Sequence, residues 1–166
     1  MEVRVSHTYA APLEDVLAML RDGEATREKY EGMGHRDVQI TECAGDDAAL
    51  RVTSTRVVDV DLPGFAKKVL KPTNTMTQRD EWHRSRGGDG WDGTFDVEVK
   101  GAPIHLSGTM RLNPEGAETT YEVVLNVEVK VPLVGGRIAD WAAKNDVRRT
   151  LDAEVAFGDT WLAEHR

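Results

Sequence analysis

Residues Glu2 to Tyr9 alternate. Val3, Val5, His7 and Tyr9 fall on one side of an extended chain, and Arg4, Ser6 and Thr8 on the other. That period of two predicts a half-buried strand. Ala11-Pro12 breaks it, and Pro12 suits the first turn of a helix, where its missing N–H costs nothing. Leu13, Val16, Leu17 and Leu20 then mark one helical face, closed by Asp22-Gly23. Glu24 to Glu31 predicts a second short helix before Gly32 and Gly34.

From Arg36 to Val131 the period returns to two. Val38 and Ile40 precede an Ala44-Gly45-Asp46-Asp47 turn, and Leu50, Val52, Ser54, Arg56, Val58 and Val60 mark the next extended run. Phe65 to Leu70 is an apolar and basic insert closed by Pro72. Thr73 to His83 is β-rich, Ser85 to Gly93 is a glycine-rich turn, and Thr94 to Lys100 alternates strictly. Ile104, Leu106, Met110 and Leu112 lead to the Asn113-Pro114-Glu115-Gly116 turn, and Tyr121 to Val131 alternates over the longest run.

After Pro132 the composition shifts to alanine, leucine and charged helix formers. A helix of about 30 residues would be roughly 45 Å long, with its regular part from about Arg137 to Glu164. At a constant 100° per residue, Val134, Trp141, Leu151, Val155 and Leu162 share one stripe with Lys144 and Arg148. Hairpin-sized turns predict a mostly antiparallel sheet. Its apolar face needs a cover, and only the terminal helix is long enough. A sheet curled around one helix often leaves a cavity between them.

The order of elements, with the opening run Val3-Arg4-Val5-Ser6-His7-Thr8-Tyr9-Ala10-Ala11-Pro12-Leu13-Glu14-Asp15-Val16, resembles the START-like proteins of the SRPBCC superfamily. Pro72 to Trp82 and Pro132 to Trp161 further resemble an uncharacterised bacterial branch of it. The resemblance implies an α+β helix-grip fold in one domain over residues 1–166: a curved antiparallel sheet of about seven strands around a long C-terminal helix, with two short helices after the first strand. It is nearly silent on activity, because the superfamily includes lipid carriers, hormone receptors, polyketide cyclases and ring-oxygenase subunits. Fold does not select among them.

Composition narrows the chemistry. The chain has 166 residues, 40% hydrophobic and 30% charged, with net charge −8. That is neither a disordered nor a membrane-spanning composition, and it opposes a polyanionic partner such as nucleic acid. No basic and apolar leader opens the chain, so a cytoplasmic location is expected. The single cysteine, Cys43, excludes an intramolecular disulfide and a multi-cysteine zinc site.

Short motifs yield to plainer readings. Gly88-Asp89-Gly90-Trp91-Asp92-Gly93 matches the dinucleotide spacing, but a strand follows it and its aspartates would repel phosphate. Asp89, Asp92, Asp96 and Glu98 do not fit a calcium loop. His83 and His105 lie on neighbouring β segments and could approach one another. Neither metal nor cofactor is expected. Phe65 to Lys71 reads either as a contact with a membrane surface or acidic partner, or as a solvated loop packing one apolar side chain.

His7, on the apolar side of its strand, reads as a core histidine bonded to a backbone carbonyl or Tyr9, or as a polar group at a cavity wall. Lys144 and Arg148 would be costly if buried unpaired, so each must reach solvent, a carboxylate or a wet cavity. Asp152 stands four residues after Arg148. The leading expectation is a binding module for an apolar small molecule or lipid, held between sheet and helix. Its inward candidates are Tyr9, Phe95, Met110, Tyr121, Leu125, Trp141, Arg148 and Val155. The alternative is a polyketide cyclase or dehydratase-like enzyme, for which His7 with Tyr9, Asp80 or Arg148 are the polar groups on offer. Stable membrane insertion is not expected, and a homodimer is left open.

Overall fold

The computed structural model describes residues 1–166. Strand β1 (Glu2–Tyr9) leads to helices α1 (Leu13–Arg21) and α2 (Gly23–Gly32). Six strands follow: β2 (Arg36–Gly45), β3 (Ala49–Asp59), β4 (Thr73–Arg84), β5 (Trp91–Val99), β6 (Ile104–Glu115) and β7 (Glu118–Val129). The chain ends in α3 (Gly135–Ala142), a π-helical stretch Ala143–Val147, and α4 (Arg148–Glu164). The architecture is the expected α+β helix-grip: all seven strands form one curved antiparallel sheet in the order β1-β7-β6-β5-β4-β3-β2. No helix is long and apolar enough to cross a membrane.

Local chemistry sets the boundaries. Asp22 stops α1 and caps α2, its carboxylate accepting from the backbone N–H groups of Glu24 and Ala25 at 3.0 and 3.2 Å. Helices α1 and α2 thereby carry the chain from β1, at one sheet edge, to β2 at the other. Buried Thr119 donates to the Ala11 carbonyl at 2.8 Å and pins the β1–α1 corner onto β7. Helix α4 crosses β1 at Gly158, where a Cβ would stand 2.7 Å from the Tyr9 ring. Only glycine allows that approach.

The π-helical stretch corrects the constant helical phase. Bonding i to i+5 amounts to one inserted residue, which rotates everything after it by about 100°. The buried line therefore runs through Ile138, Ala142, Val147, Leu151, Gly158 and Leu162. Trp141 and Val155 fall beside it and are only partly covered. The insert Phe65 to Lys71 buries two apolar side chains rather than one: Ala66 and Leu70, with Leu62 before them, pack on Ile138 in a second, smaller core.

Candidate functional site

A cavity of about 420 Å³ lies between the concave face of the sheet and α4. Its walls follow from alternation. On β5, β6 and β7 the inward residues are apolar: Phe95, Val97, Met110, Val123 and Leu125, with Tyr121 at one end. On β3 and β4 the same alternation turns Arg56, Gln78 and Asp80 inward, between Val58, Met76 and Trp82. The π-helical stretch closes the space with Val147, and helix α4 with Thr150, Leu151 and Glu154.

The polar wall is a connected strip. Arg56, 5% exposed, donates from Nη2 to Gln78 Oε1 at 2.8 Å and from Nη1 to Ser54 Oγ at 3.4 Å. Gln78 Nε2 in turn donates to Asp80 Oδ1 at 2.9 Å. The guanidinium lies 3.8 Å above the centre of the Tyr30 ring, which also stacks on the imidazole of His35 and lies 4.6 Å from Lys29 Nζ. Across the cavity, Lys29 Nζ stands 4.0 Å from Glu154 Oε1.

Burial governs the electrostatics of this strip. It raises the Asp80 carboxyl above the ordinary carboxylate range, against the bond from Gln78 and the nearby charges of Lys29 and Arg56. Burial opposes the charge on Lys29, but the acidic groups Tyr30, Glu154 and Asp80 outweigh it and Lys29 stays protonated. Burial, then the charges of Arg56 and Lys29, lower His35 from 6.5 to about 4, so its imidazole is neutral near pH 7. Burial also raises the hydroxyls of Tyr9 and Tyr121 far above their usual range.

The cavity reaches the surface beside the Gly32-Met33-Gly34 turn, the end of β3 and the π-helical stretch. The charged groups at this mouth are already paired. Asp59 holds Arg36 at 2.9 Å, and Asp146 holds Arg149 at 2.7 Å.

The structure brings Phe95, Met110, Tyr121 and Leu125 together on the cavity wall. Tyr9 stacks on Tyr121 and lines an adjoining hollow of about 50 Å³. Trp141, Arg148 and Val155 do not line the cavity; the π-helical rotation turns aside Arg148 and Val155, which follow it. Trp141 packs instead at the junction of the two cores. Arg148 is neither at the cavity wall nor paired with Asp152. It is exposed and donates to the Arg4 carbonyl at 3.0 Å. Lys144 pairs with Asp140 at 3.1 Å.

His7 bonds neither a backbone carbonyl nor the Tyr9 hydroxyl. Its Nε2 lies 2.8 Å from Asp159 of α4, and its ring meets Tyr9 edge-on outside the cavity. His83 and His105 stay apart, facing Asp92 and Glu98 at separate places on β5. The sequence reading passed over Arg56, Gln78, Lys29 and Glu154. For Arg56 the signal was present: it shares the phase of Leu50, Val52 and Val58.

A family model described as "Protein of unknown function (DUF2505)" matches residues 4–162. No curated protein matches the chain. Among solved structures, TTHA0849 from Thermus thermophilus is similar with TM-score 0.65 at 18% identity, covering 99% of both chains. A START superfamily protein from Mycobacterium smegmatis is similar with TM-score 0.55 at 16% identity, covering 99% of both chains. The Zhui aromatase/cyclase from Streptomyces sp. R1128 is similar with TM-score 0.56 at 17% identity, covering 99% of this chain and 92% of that one. These likenesses carry the START-like fold.

Proposed function

We propose that this chain, which belongs to the DUF2505 family, binds an apolar small molecule or lipid in the cavity between its sheet and α4. The observation that carries this reading is the cavity itself. At about 420 Å³ it falls within the range of small-molecule sites, it is walled mainly by apolar side chains, and it has a few converging polar groups. Leaving such a surface uncovered forfeits packing on every wall residue, and a ligand restores it.

Purified protein is incubated with a panel of fatty alcohols, fatty acids and planar aromatics, then followed by thermal shift and native mass spectrometry. A one-to-one complex and a raised Tm are expected with at least one class. Ala153→Trp, which fills the space from α4, should abolish both effects while the protein stays folded. No complex with any class, or full binding to Ala153→Trp, overturns the reading.

A second reading, a cyclase or dehydratase-like enzyme, is favoured by one observation. Lys29, Asp80 and Glu154 line the same cavity, and burial shifts the Asp80 carboxyl toward the protonated form that a general acid uses. Turnover of a poly-β-ketone thioester that Asp80→Asn abolishes would establish it. Equal turnover in wild type and Asp80→Asn would remove it.

A further inference from the structure

Four carboxylates and three cations line the cavity or its mouth. Asp59 is held by Arg36, Asp146 by Arg149, and Glu154 by Lys29. Two ionisable groups remain without an ion pair, Arg56 and Asp80, joined only through the neutral amide of Gln78. Asp80 can shed its charge by taking up a proton. Arg56 cannot, because a guanidinium stays charged.

Arg56 is also under-bonded. Of the five N–H donors of a guanidinium, two hydrogen bonds are made, both to neutral oxygens, and the longer is 3.4 Å. Its Nε is buried without a partner. Beside it, His35 carries a second buried nitrogen, Nδ1, that also has none. Both residues line the cavity, and both belong to the Tyr30 stack that fixes their planes. A charge taken from water without a counter-ion is unfavourable, and a carboxylate offers the geometry a guanidinium binds best.

Resting on the binding reading above, we infer that the ligand is an apolar molecule carrying one carboxylate, and that Arg56 anchors that carboxylate. The neutral His35 imidazole can donate to the same head from Nδ1. The tail then lies toward Phe95, Val97 and Leu125, on the apolar wall. Gln78 is the group that yields: its bond to Arg56 is replaced by the ligand, and it keeps its bond to Asp80.

The test uses three probes of equal chain length: dodecanoic acid, dodecanol and methyl dodecanoate. Affinities are measured by calorimetry near pH 7 on wild type, Arg56→Met, Arg56→Lys and Arg148→Met, the last at an arginine outside the cavity. The acid should bind wild type at least about tenfold tighter than the alcohol or ester, the size expected for a buried charge-assisted pair. Arg56→Met should remove that preference and leave the alcohol's affinity unchanged. Arg56→Lys should keep part of it, and Arg148→Met all of it.

Wild type binding the alcohol as tightly as the acid overturns the carboxylate assignment but leaves the binding reading intact. A preference that survives Arg56→Met, or disappears in Arg148→Met, overturns Arg56 as the anchor. Binding of none of the three probes counts against both readings. The wild-type comparison of acid with alcohol needs no variant, so the inference stays open to refutation even if Arg56→Met does not fold.

Discussion

The two long walls of the cavity are built by one rule and differ in kind. On β5 to β7 every second residue points inward and is almost always apolar; on β3 and β4 the same rule brings Arg56, Gln78 and Asp80 inward. The apolar wall is held by packing and backbone geometry, which tolerate little change. The polar wall is held by a chain of hydrogen bonds that is one partner short. One wall therefore governs stability and, on the binding reading proposed above, the other governs what the cavity accepts, so each can be disturbed separately.

The largest effect is expected on the apolar wall, at Gly108. A Cβ there would stand 2.0 Å from the Val124 carbonyl oxygen and 2.7 Å from the Phe95 ring. The carbonyl belongs to the β6–β7 ladder and cannot step aside without breaking pairing. Gly108→Ala should cost on the order of 3 kcal/mol or more. Ser54→Ala, on the polar wall, loses only a 3.4 Å bond to Arg56 and should cost about 1 kcal/mol. Urea midpoints at unchanged m-value would measure both. Equal losses at the two sites would erase the distinction between the walls.

The difference between the walls also explains what the sequence discloses. Strand and helix positions were legible because alternation and the shift to helix formers at Pro132 reflect burial directly. Phe95, Met110, Tyr121 and Leu125 were legible as inward residues for the same reason. Arg56 and Ser54 share the phase of Val52 and Val58, but a polar residue in an apolar phase is ordinarily an edge or a strand end. Only the register, with Arg56 opposite Met76 and Asp80 opposite Phe95, turns them into a wall. Lys29 and Glu154 meet from helices far apart in the chain, and nothing local announces them. Arg148 and Val155 fall off the cavity wall for one reason: a π-helical stretch leaves no mark in hydrophobic spacing, yet rotates every later position.

A middle-sized effect separates the walls by pH. His35 sits at 6.5 when unfolded and near 4 in the fold, because burial and then the charges of Arg56 and Lys29 oppose its proton. Between those values the unfolded chain binds more protons, so stability falls as pH drops from about 6.5 toward 4. His35 is partly open to solvent, which reduces its share to on the order of 1–2 kcal/mol. His35→Phe keeps the stack on Tyr30 and cannot protonate. Its Tm should decline less than that of wild type over this window, with the two curves parallel above pH 7. Identical slopes between pH 4 and 6.5 would remove His35 from the acid response.

The smallest expected effect concerns the arginine that the even helical phase would bring inward. Arg148 opens α4 just after the π-helical stretch, and it reaches back to the Arg4 carbonyl of β1 at 3.0 Å. Strand β1 is a sheet edge, so a carbonyl facing outward has no ladder partner and finds either water or a side chain. Replacing one by the other is nearly neutral at an exposed site. Arg148→Met should therefore move stability by no more than about 0.5 kcal/mol, and should leave the affinity for dodecanoic acid unchanged. Arg56→Met is its opposite: the charge removed there is deep, unpaired and on the cavity wall. Calorimetry of the two variants side by side gives the sharpest contrast the molecule offers, two arginines exchanged for the same residue with only their place in the fold differing. Loss of acid binding in Arg148→Met, with Arg56→Met unaffected, would mean that α4 presents its other face to the cavity in solution and that the π-helical rotation is absent.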